Sequence, residues 1–258
     1  MPEPPPTHTA QPRAVRPGPP RGLACIEHAR IDVWERRLRS HDTLRVSTRE
    51  TLVRARPYLP RVRRIFSKAG LPPSLALLPV IESAFYRQAQ GQLDDRGLWQ
   101  LRVATAQRFG LVVNERRDQR LHPYRATRAA ARYLRALHRH YHDWPLALAA
   151  YNAGENRVDR ARARRPRATF WDLAESGLLP RTTTDYVPRF LALVRVTDGT
   201  AVCKEPPATP VQVAAAGKPV ARPAARPASR TRDAAAFGCG VTQRSRETQP
   251  APGAGLDL

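Results

Sequence analysis

One carboxylate interrupts an otherwise apolar segment of this chain. Glu82 lies in the stretch SLALLPVIESAF, residues 74–85, which contains no other charged residue. An ionised carboxylate in such surroundings would lose much of its hydration, so it either pairs with a cation or has a raised pKa. A glutamic acid that stays protonated near neutral pH can donate a proton to the oxygen of a glycosidic bond. The alternative is a salt bridge between Glu82, at a helix end, and one of the many arginines.

A short motif that follows Glu82 could bind the hydroxyl and N-acetyl groups of a sugar. It consists of Gly97, Leu98, Trp99 and Gln100. The glycine would allow the backbone to approach a sugar closely, and the Gln100 amide offers both a donor and an acceptor. The Trp99 ring could stack on a pyranose, although a position in the core suits an indole equally well. Taken alone, Gln100 could also be an ordinary polar residue at the start of a helix.

Two later motifs offer further candidates for a cleft. Tyr151 and Asn152 end an apolar segment just before Gly154, so they could face a cleft, or Asn152 could cap the helix. Tyr186 precedes Val187 in the last amphipathic segment, where an aromatic residue usually faces the core.

The elements that carry these residues are predicted to be helices. Eight segments have helical length and apolar spacing, and few stretches alternate with period two. We expect Pro60 to separate the first two segments and Pro79 to kink the third. The sequence therefore predicts an all-α domain of about eight helices. The segments are TRETLVRARPYL, RVRRIFSKAGL, SLALLPVIESAF, LWQLRVATAQRFGL, RATRAAARYLRALHRHY, PLALAAYNAG, ATFWDLAE and TTDYVPRFLALVRV.

Proline marks the ends of this domain. Residues 1–24 and 199–258 each contain eight of the 26 prolines. With few large apolar side chains, both tails are expected to be disordered, which leaves residues 25–198 as the folded domain. No run approaches eighteen apolar residues, so no transmembrane helix is predicted, and no apolar segment follows Met1 as in a conventional signal peptide.

The charge of the chain indicates an environment more than a ligand. The net charge is +22, and 41 of the 44 basic residues are arginine. A basic surface attracts nucleic acid, anionic lipid and acidic wall polymers alike, so a nucleic-acid-binding helical protein is an alternative that depends on charge alone. His138 and His142 lie one helical turn apart, but neither an HExxH motif nor a third ligand accompanies them. No metal site is predicted.

The four motifs together resemble a known catalytic domain. Glu82-Ser83, GLWQ at 97–100, AYNAG at 150–154 and Tyr186-Val187-Pro188 occur in the order and spacing of the lytic transglycosylase (SLT) domain. The chain is most similar to the branch of membrane-bound lytic transglycosylase D, over about residues 30–197. This resemblance implies a lysozyme-like α-helical fold.

The resemblance also implies an activity and a site. Members of the family cleave the MurNAc–GlcNAc β-1,4 bond of peptidoglycan without water and leave a 1,6-anhydroMurNAc end. Glu82 would be the single general acid and base, and no metal or cofactor would be needed. The implied partners are peptidoglycan glycan strands and not nucleic acid. The protein is expected to be a monomer in the cell envelope, and membrane association is left open. The implied substrate-binding residues are Ser83, Gly97, Leu98, Trp99, Gln100, Tyr151, Asn152 and Tyr186.

Several positions depart from the family pattern and keep two alternatives open. Gly91, Asp94 and Asp95 replace the usual small residues before GLWQ, Arg102 and Val103 replace an apolar residue and a proline, and residues 182–184 are threonines where Glu-Thr-Arg is usual. A second carboxylate across a cleft could activate water, as in a hydrolytic muramidase. Adjacent aspartates beside Arg96 could instead be solvated and paired. A non-catalytic glycan-binding module on the same fold is the other alternative.

Overall fold

The structure is a computed structural model that describes residues 22–199. The tails that were expected to be disordered lie outside the described residues except at their inner ends. Leu23 and Ala24, which we assigned to the N-terminal tail, lie in a 3₁₀ helix, Leu23–Cys25, and are buried in the core. The folded part therefore begins before the boundary at residue 25 that the prolines indicate.

Helices dominate the described residues, which confirms the all-α prediction. None of these helices combines the length and the apolar composition that crossing a bilayer requires. One antiparallel hairpin of two short strands, β1 (Val113–Asn114) and β2 (Arg117–Asp118), interrupts them. The α-helices are α1 (Ala29–Ser40), α2 (Asp42–Ala55), α3 (Leu59–Lys68), α4 (Leu78–Glu82), α5 (Val103–Arg108), α6 (Pro123–Tyr141), α7 (Trp144–Ala153), α8 (Glu155–Arg164), α9 (Phe170–Glu175) and α10 (Arg181–Asp198).

Three local expectations are corrected by the structure. Pro60 lies in the first turn of α3, where a missing N–H leaves no hydrogen bond unmade, so the break between helices comes before it. Pro79 likewise lies in the first turn of α4, after the 3₁₀ helix Pro73–Leu77, and does not kink one long helix. The segment from Leu98 to Leu111 is helical only in α5, because Gly97 and Gln100 have φ of 76° and 43° and form a turn.

Helix α7 forms the centre of the core. Residues 144–150 are all buried, as expected of a helix that is apolar around its whole circumference. Helices α6, α8 and α10 pack against it, α1 packs against α10, and α3 packs against α6. The exposed end of α7, which carries Tyr151 and Asn152, is thereby held at a fixed place on the surface of the core.

A buried arginine fixes the long loop between α4 and α5. Arg120 is 2% exposed, and its guanidinium donates to the carbonyl oxygens of Asp94 at 2.5 Å and Leu101 at 3.2 Å. Its Nε also donates to Oδ1 of Asp118 at 2.9 Å. Gly97 lies against the same residue, because a Cβ at this position would be 2.2 Å from the Arg120 carbonyl oxygen. The glycine is therefore required by close packing of two backbones.

This packing predicts a large effect of Gly97→Ala. An alanine here would have to adopt the left-handed φ of the glycine, and its Cβ would also clash with a backbone oxygen. We therefore expect the free energy of unfolding to fall by about 3 kcal/mol. Gly177→Ala is the matched control, because its φ is 67° and nothing lies within 4 Å of the added Cβ. That control should lose only about 1 kcal/mol from strain. If urea titrations gave the two variants equal losses of unfolding free energy, the close contact with Arg120 would not be the reason for a glycine at position 97.

Candidate active site

Glu82 is the last residue of α4, and the chain turns sharply after it. After Ser83, the residues Ala84 and Phe85 have left-handed φ of 46° and 59°, which is unusual for residues other than glycine. The turn is held by burial of the Phe85 ring, by Arg54 Nε donating to the Ala84 carbonyl at 3.0 Å, and by Ser83. The Ser83 hydroxyl donates to the carbonyl of Leu98 at 2.9 Å. Glu82 is thus held in position by the contacts of the three residues that follow it.

Tyr186 on α10 makes the direct contact with this acid. Its hydroxyl donates to Oε1 of Glu82 at an O–O distance of 2.5 Å, across 104 residues of sequence. Glu82 takes part in none of the ion pairs among residues 22–199. The salt bridge considered as an alternative for Glu82 is therefore not found in the described part of the chain.

The surroundings raise the pKa of the Glu82 carboxyl to about 7. Loss of hydration in the half-buried position is the largest cause, and the negative charge of Asp95 acts in the same direction. The hydrogen bond from Tyr186 lowers the pKa because it favours the carboxylate. The carboxyl group can therefore both hold and release a proton near neutral pH.

Glu82 opens into a cleft of about 460 Å³. Three other residues predicted from the motifs, Gln100, Tyr151 and Asn152, line the same cleft. Asp95 and Arg102, two of the departures from the family pattern, line it as well. The remaining lining residues are Leu101, Thr105, Tyr133, Ala153, Gly154, Glu155, Asn156, Arg157 and Arg160.

The polar groups in the cleft are held by the protein. The Tyr151 hydroxyl donates to the Trp99 carbonyl at 2.7 Å, and Asn152 Oδ1 accepts from the Thr183 hydroxyl at 2.8 Å. Gln100 Nε2 donates to the carbonyls of Gly97 at 2.8 Å and Ala89 at 3.2 Å. Since both amide hydrogens are used, Oε1 of Gln100 is the atom that can accept from a ligand.

Five of the eight predicted substrate contacts are not among the residues that line this cleft. One of them, Tyr186, contacts Glu82 instead, and the other four are buried. Trp99 is fully buried, its Nε1 donates to the Thr127 hydroxyl at 3.0 Å, and its ring centroid is 5.4 Å from that of Phe66. Leu98 is 1% exposed, and Ser83 is buried and bonded to the backbone. Gly97 approaches Arg120 and not a ligand. At Leu98 and Trp99, burial in the apolar core leaves no exposed surface that could stack on a glycan.

The two adjacent aspartates have different surroundings. Asp94, with φ of 58°, pairs with Arg96 at 3.0 Å and with Arg120 at 3.4 Å. Asp95 lines the cleft and accepts from Nε of Arg102 at 3.2 Å. Both are paired, as the solvated alternative requires, but only Asp95 is placed to influence Glu82.

The sequence motifs missed the contribution of α6 and α8 to the cleft. Tyr133 of α6 lies with its ring centroid 5.4 Å from that of Tyr151. Glu155, Arg157 and Arg160 come from α8, which begins directly after the AYNAG motif. This adjacency in sequence was the signal that could have indicated the α8 residues, whereas nothing in the sequence indicated Tyr133.

The histidines of α6 are engaged with other groups. The His138 ring stacks on Trp144 at 4.1 Å between centroids, and Nε2 of His140 lies 3.0 Å from Oδ1 of Asp159. Within residues 22–199, no group of three or more His, Cys, Asp and Glu side chains is arranged to hold a metal ion.

Comparison with known proteins agrees with the motifs. Residues 64–174 match the family model described as "Transglycosylase SLT domain". The "Membrane-bound lytic murein transglycosylase D" of Escherichia coli K12 is 36% identical over 149 residues, which cover 56% of this chain and 32% of the relative. A "Putative tributyltin chloride resistance protein" of Alteromonas sp. strain M-1 is 41% identical over 109 residues, covering 42% of this chain and 53% of the relative.

A solved structure with partial similarity is that of an inactive mutant of the lytic transglycosylase Slt of Pseudomonas aeruginosa. The sequence identity is 27%, the TM-score is 0.44, and the match covers 52% of this chain and 23% of that one. The chain thus spans about a third of the Escherichia coli relative and about half of the Alteromonas relative. The family match includes Glu82, the GLWQ motif and the AYNAG motif. Residues 64–174 of this chain thus match the transglycosylase SLT domain family.

Proposed function

We propose that this chain is a peptidoglycan lytic transglycosylase that cleaves the MurNAc–GlcNAc β-1,4 bond of glycan strands. The observation that carries the proposal is the carboxyl group of Glu82, which lines a cleft in a domain that matches the SLT family. This carboxyl has no cationic partner among the described residues, and its pKa is about 7. Peptidoglycan lies in the cell envelope, so the protein acts there. We also expect the protein to act as a monomer.

The first step uses the protonated form of Glu82. With a pKa of about 7, roughly half of the molecules carry this proton at neutral pH. The proton passes to the bridging oxygen of the glycosidic bond, the bond between that oxygen and C1 of MurNAc breaks, and GlcNAc leaves with a free hydroxyl. The general acid is supplied by the protein alone.

The second step uses Glu82 as a carboxylate. The Tyr186 hydroxyl stabilises this form by its hydrogen bond to Oε1. The carboxylate accepts the proton of the C6 hydroxyl of the same MurNAc, while the C6 oxygen forms a bond to C1. The product is a 1,6-anhydro ring, no water is consumed, and Glu82 regains its proton for the next cycle.

The polar lining of the cleft supports binding of a sugar. Oε1 of Gln100 can accept from a hydroxyl or an N-acetyl N–H. Tyr151 and Asn152 are oriented by their bonds to the Trp99 carbonyl and Thr183, so little ordering would be needed when the glycan binds. These three residues form the substrate-binding set that we propose, with Tyr186 contacting the acid itself.

Hydrolysis is the second candidate, because Asp95 shares the cleft with Glu82. An aspartate on the far side of the bond could activate a water molecule and give a reducing MurNAc end. The pairing of Asp95 with Arg102 opposes this role, because the guanidinium occupies a carboxylate oxygen that would have to accept the proton of the water molecule.

Replacing the acid tests the proposal directly. Glu82→Gln removes the transferable proton, so we expect turnover of purified sacculi to fall by about 10²–10⁴-fold with no loss of thermal stability. Glu115→Gln, in an exposed turn of the hairpin, is the matched control and should keep full activity. Near-normal turnover by Glu82→Gln would refute the assignment of Glu82 as the acid. If the unmodified protein bound glycan strands but did not cleave them, the domain would be a binding module.

The chemistry of the product separates the two reactions. Digested sacculi should release muropeptides with 1,6-anhydroMurNAc ends, each one water lighter by mass spectrometry than the hydrolysis product. Asp95→Asn should still give 1,6-anhydroMurNAc ends, and so should the control Asp94→Asn. Mostly reducing MurNAc ends that disappear in Asp95→Asn but not in Asp94→Asn would establish a muramidase.

The pH dependence should report the pKa of Glu82. As pH rises through about 7 the proton is lost, so kcat/KM should fall on the alkaline side of this value. Tyr186→Phe removes a bond that lowers the pKa, and the alkaline limb should move to higher pH. Asp95→Asn removes a charge that raises the pKa, and the limb should move to lower pH. Shifts in the same direction for both variants would contradict this electrostatic account.

A further inference from the structure

A second concave surface, which we call the basic groove, lies between α3 and α6. Its volume is about 480 Å³, and it shares no lining residue with the cleft that contains Glu82. Six of its nine lining residues are cations and none is an acid. The lining residues are Arg61, Arg64, Ile65, Lys68, Ala69, Arg128, Ala131, Arg132 and Arg135.

Within the described part of the chain, the cations of the basic groove are not neutralised by ion pairs with carboxylates. On the same helix α3, Arg63 pairs with Asp198 at 2.7 Å. In contrast, the six groove cations take part in none of the ion pairs among residues 22–199. All six side chains are exposed. Their mutual repulsion is therefore balanced only by solvent and salt until an anion binds.

Three of these cations are held in position by neutral groups. Arg135 Nη2 donates to the Ala69 carbonyl at 2.6 Å, and Arg132 donates to the Phe109 carbonyl. The Arg61 guanidinium lies over the Tyr124 ring at 4.0 Å from its centroid. These contacts fix the side chains without neutralising their charge, so the groove keeps its positive potential.

The floor of the basic groove is apolar. Ile65, Ala69 and Ala131 are buried or half-buried between the two rows of cations. Together with the aliphatic stems of the long side chains, this floor suits a ligand that presents an anionic group next to apolar atoms. Phospholipid head groups at a membrane surface have this arrangement, and juxtaposed lysines and arginines attract them.

We propose that the basic groove binds the phosphate groups of anionic phospholipids and so holds the protein at a membrane surface. The lining favours lipid over nucleic acid. It offers no aromatic ring on which a base could stack and no Asn or Gln side chain for contacts with base edges. Glu82 takes no part in this surface, so the proposal does not depend on the proposed function.

Vesicle binding by the full chain tests this proposal. Affinity is measured by co-sedimentation, at physiological salt, with vesicles of phosphatidylglycerol mixed with phosphatidylcholine and with vesicles of phosphatidylcholine alone. The variant is Arg64→Gln, Lys68→Gln and Arg128→Gln combined, and the control is Arg116→Gln, Arg164→Gln and Arg167→Gln combined. All six residues are exposed and absent from the ion pairs, so both proteins should keep the wild-type Tm.

The variant and control lose the same net charge, and the basic tails are common to all three proteins. We expect the groove variant to bind anionic vesicles about 100-fold more weakly, at about 1 kcal/mol per cation, and the control to weaken less than about threefold. Equal losses in both proteins, or no preference of the wild type for anionic vesicles, would overturn the proposal. So would groove substitutions that weaken binding to a DNA duplex but leave vesicle binding unchanged.

A second measurement uses only the unmodified protein. Binding to anionic vesicles should weaken steeply as salt is raised, because screening shortens the reach of the exposed cations. Glu82→Gln should bind these vesicles as the wild type does. Binding that is insensitive to salt would point to apolar insertion and would contradict the assignment to the groove.

Discussion

The raised pKa of Glu82 depends on keeping guanidinium groups away from its carboxyl. The chain contains 41 arginines, and one of them in contact with this carboxylate would lower its pKa and remove the acid. Of the three arginines that line the cleft, Arg102 is held by another carboxylate, whereas Arg157 and Arg160 take part in none of the ion pairs among residues 22–199. Asp95 accepts from Arg102 at 3.2 Å, and Glu155 accepts from Arg108 at 2.8 Å. None of these guanidinium groups forms an ion pair with Glu82 in the described part of the chain, so the raised pKa of its carboxyl is retained.

Two departures from the family pattern compensate for each other in this arrangement. Arg102 replaces an apolar residue after the GLWQ motif and would bring a cation to the cleft. Asp95 replaces a small residue before the motif and pairs with that cation. The same aspartate also raises the pKa of Glu82 through its negative charge. Each substitution considered alone suggests a degraded site, whereas the two residues together form an ion pair and leave the pKa of Glu82 raised.

The sequence indicated the acid, the motifs and the helical class, but not the local geometry around them. The isolation of Glu82 in an apolar segment is a property of composition and could be read directly. The turn at Gln100 could not, because a left-handed φ at a non-glycine residue is imposed by its contacts with the Gly97 and Ala89 carbonyls. The burial of Trp99 likewise depends on Thr127 and Phe66, which are distant in sequence. Tertiary contacts decide such positions, and local propensity does not.

Helix α6 connects the two surfaces for which functions are proposed. Tyr133 lines the cleft and its neighbour Arg132 lines the basic groove. Successive side chains of an α-helix point about 100° apart, so the cleft and the groove open in different directions from one rigid element. A bilayer held against the groove would therefore leave the cleft uncovered. A glycan strand could then reach Glu82 while a different face of α6 remained at the membrane, which places the two proposed ligands on separate faces of the same helix.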